Sequence, residues 1–174
     1  DIAHLLKSGQ EILVQVAKEP VGNKGPRVTG KLSLPGRYVV LLPNCTDVGI
    51  SRKIGDEAVR SRIKAFAEQM RQRYHHGIIV RTCALEATDE QLESDYLRLL
   101  TLWQNICAHV AEAHGLSARE REVLELVALG RTPMQIEREL VIANGTLKSH
   151  MQRIYQKLGI HSKRELRAMV GAGE

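Results

Sequence analysis

The chain has 174 residues, with 25 Lys or Arg against 20 Asp or Glu and a formal net charge of +5, so it is one ordinary domain or two small ones with a basic balance. Its hydrophobic content of 43% supports a packed core, but with one Phe and one Trp that core must be aliphatic. No apolar run approaches the roughly 20 residues that span a bilayer, no basic-then-apolar leader follows Asp1, and Cys45, Cys83 and Cys107 lack CxxC spacing. A membrane span, a secretory signal, a disulfide framework and a zinc knuckle are therefore not expected, and the chain reads as a cytoplasmic protein with reduced thiols, no metal and no cofactor.

The first predicted element is a strand in "QEILVQVAKE" (10–19), where Ile12, Val14 and Val16 alternate with polar residues. "PVGNKG" (20–25) is turn material, and alternation resumes at Val28, Leu32 and Leu34, which makes a hairpin with a longer loop. "RYVVLLP" (37–43) is a continuous apolar run suited to a buried strand, and residues 44–55 read as loop. Residues 56–74 place Val59, Ile63, Phe66, Met70 and Tyr74 at helical spacing, with Asp56 and Glu57 at the positive end of the dipole. "GIIVRT" (77–82) is a short strand. "TDEQ" (88–91) is a capping box opening a helix of about 25 residues, whose stripe runs through Leu92, Tyr96, Leu99, Trp103, Ile106 and Val110 to a stop at Gly115.

Only helices are predicted after that. "SARE" (117–120) is a second capping box, followed by Val123, Leu124 and Val127 and a stop at Gly130. Pro133 stands in the first turn of "TPMQIEREL" (132–140), the "VIANG" turn follows, and residues 146–159 form a longer basic helix. "SKRE" (162–165) is a third capping box and opens a last short helix through Val170.

Charge is unevenly distributed. Residues 7–54 hold eight bases against three acids, residues 145–174 six against two, and residues 56–95 eight acids against six bases. Two basic regions around an acidic one suit either two polyanion-facing surfaces or an ordinary solvated exterior.

Two short helices, a turn and a basic helix make a helix-turn-helix pattern. In the basic helix, Leu147, Met151, Ile154 and Leu158 point inward, while Lys148, Ser149, Gln152 and Arg153 share the opposite face. The pattern of Leu116, Arg119, Glu120, Glu122, Val123, Leu124, Gly130, Ile136, Leu140, Thr146, Lys148, His150, Ile154, Lys157 and Leu158 resembles the LuxR-type DNA-binding domain. That resemblance implies base contacts from Lys148, Ser149 and Gln152, phosphate contacts from Thr146, Arg153 and Lys157, and a homodimer on double-stranded DNA through a last helix carrying Leu166 and Val170. Glu137 and Ala143 depart from the family pattern; losing a capping Ser at 143 costs about 1 kcal/mol unless Asn144 substitutes.

"GNKG", "SLPGRYVVLLPN", "GISRKI" and "GIIVRT" stand in the order that resembles the ribonuclease E/G family, from the end of an OB-type RNA-binding barrel into a 5′-sensor. The resemblance implies that Lys24 touches RNA and that Gly36, Val40, Arg81 and Thr82 form a pocket for a 5′-monophosphate end. Arg81 offers a planar fork of donors and Thr82 a hydroxyl, Gly36 close backbone approach and Val40 an apolar wall. The competing assignment pairs Arg81 with Glu86 or Asp89. His75 and His76 read as a solvated turn.

The resulting expectation is an α+β chain with an incomplete OB-type barrel end at 1–32, a 5′-sensor-like α/β region at 33–106, a helical joint at 107–114 and a four-helix LuxR-type domain at 115–174. The leading functional expectation is a non-enzymatic LuxR-type transcriptional regulator with an RNA-sensing N-terminal region. The alternative is a non-catalytic fragment of a ribonuclease E/G family endoribonuclease, or an artificial fusion of the two.

Overall fold

Val39, Leu41, Ile78 and Val80 are fully buried, while their strand neighbours Val40 and Ile79 are not, so period-two alternation gives the central sheet one packed and one open face. The computed structural model describes residues 11–43, 45–129, 131–162 and 165–166. The strands are β1 (Gln15–Lys18), β2 (Arg27–Thr29), β3 (Leu34–Pro35), β4 (Val39–Leu42), β5 (Val48–Ile50) and β6 (Gly77–Val80). The helices are α1 (Glu57–Tyr74), α2 (Asp89–Ala113), α3 (Ala118–Ala128), α4 (Pro133–Leu140) and α5 (Asn144–Leu158), with a 3-10 turn at Thr82–Glu86. The mixed α+β class expected from the sequence is what is found.

Two compact units divide the chain, one comprising Ser33–Asn105 and the other Asp1–Leu32 with Ile106–Glu174. In the first, β3, β4, β6 and β5 form a sheet in that order; β4 pairs antiparallel with β3 and β6, and β5 pairs parallel with β6. A parallel pair needs a crossover, and α1 supplies it, packing on both β5 and β6. Its buried residues Ile63, Phe66, Ala67 and Met70 keep the predicted spacing, and Asp56 caps it by accepting the Val59 N–H at 2.9 Å. His75 ends it in the left-handed conformation, φ 59°. His76 is buried, which corrects the solvated-turn expectation.

β5 lies inside the segment expected to be loop. Its three residues, Val48, Gly49 and Ile50, are too few to show alternation, and their pairing partner lies across an intervening helix. Gly49 fits there because a Cβ would come within 3.3 Å of the Ile79 side chain.

In the second unit β1 and β2 form the expected antiparallel hairpin, though β1 begins only at Gln15 and β2 ends at Thr29, with Leu34 standing in β3 of the other sheet. The capping boxes expected at Thr88 and Ser117 form with reciprocal side-chain and backbone bonds, Thr132 makes a further one that was not expected, and at Ser162 the hydroxyl accepts the Glu165 N–H at 3.1 Å. Gly115, at φ 63°, turns the chain after α2 as expected. The cap of α5 does not form: Ala143 has none to give, and Asn144 instead donates to Glu137 at 2.6 Å. Asn144 is thus engaged by Glu137, one of the two positions flagged as unusual, and does not replace the missing cap at 143. The Gly130 stop and the end of the last helix at Val170 lie outside the described residues. Among the described residues no helix is long and apolar enough to cross a membrane.

Glu120 fastens α3 to α5. Its buried carboxylate accepts the Lys157 ammonium at 2.7 Å and the Ser117 N–H at 2.8 Å, and these bonds hold its carboxyl down at about 2 against the effect of burial. A depressed carboxyl contributes stability above its unfolded value, here ordinarily 4.5, and loses it as pH falls toward 2. Glu120→Gln is expected to lower the urea midpoint at pH 6 and to converge with the wild type near pH 2.

Val141, between α4 and α5, is 89% exposed and holds φ 52° and ψ 51°, a conformation that a β-branched residue adopts at a cost. Val141→Gly is expected to raise unfolding free energy by about 1 kcal/mol, since left-handed backbone costs a side chain roughly 1–2 and Gly returns part of that as entropy. Chemical denaturation at neutral pH measures it.

Candidate nucleic-acid interface

The parallel pair β5 and β6 ends at one edge of the sheet. Ser51 directly follows β5, Arg81 and Thr82 directly follow β6, and the carboxyl ends of parallel strands are where α/β sheets commonly place ligands. Ser51 donates its backbone N–H to Val80 at 3.0 Å, and its hydroxyl lies 2.9 Å from that of Thr82. Two strand ends are therefore joined by paired hydroxyls.

Arg81 continues β6 in extended conformation, so alternation sets its side chain on the face of Ile79. Ile79 is the register partner of Val40. Val40, Ile79 and Arg81 thus share the open sheet face, apolar at its centre and cationic at its end. Arg81 is exposed, and its Nη1 donates to the Gly36 carbonyl at 2.7 Å. Of the four sequence-derived pocket residues, the structure brings Gly36 and Arg81 into direct contact, puts Val40 on the same face, and ties Thr82 to Ser51.

Neither competing carboxylate holds Arg81. Asp89 is paired with Arg62, and no ion pair between Arg81 and a carboxylate is found among the described residues.

The residue that sequence reasoning missed is Asp95. It sits on the buried stripe of α2, three residues after Leu92 and four before Leu99, and it is itself buried. Its Oδ2 accepts the Tyr38 N–H at 2.8 Å and the Val39 N–H at 3.2 Å, and the Arg37 N–H adds to the same carboxylate. Its Oδ1 accepts Arg98 Nη2 at 3.0 Å. Burial pushes its carboxyl up, but the bonds from Tyr38, Arg98, Val39 and Arg37 outweigh that and leave it below the usual aspartate value. The signal in the sequence was an acid at a core-facing helical position, which is rare unless the charge is satisfied.

Gly36 packs against this carboxylate so closely that a Cβ would lie 2.4 Å from Oδ2. No side chain fits. Gly36→Ala is expected to destabilise the chain by about 1–3 kcal/mol, the range for overpacking a closed site. Thermal unfolding followed by circular dichroism reads the loss.

The remaining candidates lie in the other compact unit. Lys24 is exposed in the β1–β2 turn, where its backbone bonds reciprocally with Val21 at 3.1 Å. On α5, Thr146, Lys148, Gln152 and Arg153 are exposed, but Ser149 donates its hydroxyl back to the Gly145 carbonyl at 3.0 Å. Lys157 is committed to Glu120 and to the Gly115 carbonyl at 2.9 Å. Leu166 is fully buried, not displayed for a partner subunit, and Val170 lies outside the described residues.

Comparison with known proteins decides the family. The model of the ribonuclease E/G family matches residues 33–172. The chain belongs to the ribonuclease E/G family. It is 36% identical over 159 residues to ribonuclease E of Synechocystis sp., covering 90% of this chain and 23% of that protein. It is 37% identical over 149 residues to ribonuclease E of Nostoc sp., covering 84% and 22% respectively. Ribonuclease G of Haemophilus influenzae is 40% identical over 105 residues, 60% of this chain and 21% of that protein. The chain therefore spans between a fifth and a quarter of the length of these relatives.

The family match runs through position 106 and across α3, α4 and α5. This overturns the LuxR-type assignment, and with it the transcriptional role, double-stranded DNA as partner and the homodimer through the last helix. Helices α3, α4 and α5 do pack on one another. The Ser149 and Lys157 donors, however, are turned to bonds within the protein.

Proposed function

We propose that the chain supplies RNA-end recognition within a ribonuclease E/G protein, with a 5′-monophosphate held by Arg81 and Thr82 as its ligand. The observation that carries this reading is the state of Arg81, exposed, without a carboxylate partner among the described residues, and fixed by one donor to the Gly36 carbonyl. A guanidinium has five N–H donors, so those remaining match the fork needed by a terminal phosphate. The Thr82 hydroxyl, poised by Ser51, adds a donor, Val40 gives the apolar floor, and Gly36 supplies the carbonyl that aims the arginine. Lys24 would meet RNA as a separate basic contact. The family makes RNA processing the context, and this part of the protein acts in it as a non-catalytic recognition element.

Fluorescence anisotropy with one short RNA bearing either a 5′-monophosphate or a 5′-hydroxyl tests the assignment. The monophosphate form is expected to bind at least tenfold tighter, and Arg81→Ala to erase that difference, consistent with roughly 1.5–3 kcal/mol for a charged hydrogen-bonding group. Thr82→Val should reduce it less. Equal affinity for the two RNAs in the wild type would sink the proposal.

A further inference from the structure

Asp95 does more than satisfy a buried charge. The carbonyls of residues 36–39 and the amides of Tyr38 and Val39 all have partners supplied by one small network. The amides of Tyr38 and Val39 both go to Asp95 Oδ2. The carbonyl of Gly36 accepts Arg81 Nη1 at 2.7 Å, that of Arg37 accepts Cys83 Sγ at 2.8 Å, and that of Tyr38 accepts the Arg81 backbone N–H at 2.8 Å. The Val39 carbonyl accepts the Gly36 N–H at 2.8 Å.

The amides on one side of this segment are thus gathered on a carboxylate from α2, and its carbonyls on the other side are turned toward Arg81 and the residue two places after it. Gathered amides form a concavity that ordinarily draws an anion. Here the anion is the protein's own. An incoming phosphate therefore finds the Tyr38 and Val39 amides already taken, which places the demand on the side chains and on the orientation of Arg81.

The geometry points to Asp95 as the positioning residue of the site: by clamping the segment 36–39 it aims the Gly36 carbonyl, and that carbonyl sets the Arg81 guanidinium toward the ligand. This rests on the reading of Arg81 as the phosphate-binding residue, but the mechanical link from Asp95 to Arg81 is measurable without RNA. Asp95→Asn keeps the shape but loses the charge, and it puts an NH2 donor where Oδ1 accepts Arg98, weakening the one oxygen that the Tyr38 and Val39 amides share. Gly36 explains why no longer acid would serve, since Oδ2 already fills the place of its missing Cβ.

The test uses the full chain and two readouts. The first is the side-chain Nε–H signal of Arg81 in a protein with labelled arginine, with hydrogen exchange of the Tyr38 and Val39 amides. The second is the ratio of affinities for RNA with a 5′-monophosphate and with a 5′-hydroxyl. Asp95→Asn is expected to mobilise the Arg81 guanidinium, speed exchange at Tyr38 and Val39 at least tenfold, and lower the affinity ratio about tenfold while leaving hydroxyl-ended RNA unaffected. A merely structural role would weaken both RNAs alike. If Arg81 and the two amides behave as in the wild type, the positioning role is wrong, whatever the RNA result. If they loosen but the wild type never distinguished the RNA ends, positioning stands and the ligand reading falls. Should Asp95→Asn not fold, Arg98→Gln carries the same test, because Arg98 is 60% exposed and removes only one donor from the carboxylate. It is expected to shift both readouts in the same direction by a smaller factor, and no shift in either would overturn the role.

Discussion

Two consecutive backbone amides, those of Tyr38 and Val39, converge on one buried carboxylate oxygen at Asp95. Burying that charge would be costly alone, but the two amides and Arg98 compensate it and keep its carboxyl below the usual aspartate value. In exchange the segment that begins β4 is held against α2, Gly36 has no room for a side chain, and β4 is placed to pair with β6. The strand end that carries Arg81 and Thr82 is consequently bound to the helix through β4 as well as to its own sheet neighbours. The unit of residues 33–105 has its polar anchor beside its candidate site, not remote from it.

Much of this unit was legible from the sequence because its elements are local. The α1 stripe, the Asp56 cap, the Thr88 capping box and the strand at 77–80 depend on residues within a few positions of each other. What was hidden is what depends on distance along the chain. β5 exists because Val48–Ile50 finds β6 across an entire helix, and three residues cannot announce a partner that far away. Asp95 was hidden differently: it lay in view at a core-facing position, but its meaning is set by amides 56 and 57 residues earlier.

The LuxR-type reading failed for an instructive reason. The residues that carried it are chiefly those that pack and cap helices. Val123, Leu124, Ile154 and Leu158 are buried, Glu120 closes a capping box, and Lys157 bonds that same glutamate. A three-helix arrangement with a short turn needs such residues whatever its exterior does. The pattern therefore reported an architecture, and the function attached to it came from elsewhere. Conversely, the ribonuclease E/G resemblance rested on strand ends and glycines, positions where backbone geometry and ligand approach constrain the residue more tightly.

The parallel pairing of β5 with β6 has a consequence in time as well as space. Ser51 and Thr82 are 31 positions apart, and their hydroxyls meet only when α1 has formed and crossed over the sheet. Arg81 meets Gly36 across 45 positions, and Asp95 meets Tyr38 across 57. Contacts of such separation carry a loop-closure cost that must be met before any of them stabilises the chain. No partly folded intermediate with only hairpins and helices can present this arrangement of donors. On a nascent or unfolding chain the candidate site is simply absent, so any ligand it takes can be held only by a unit whose folding is complete.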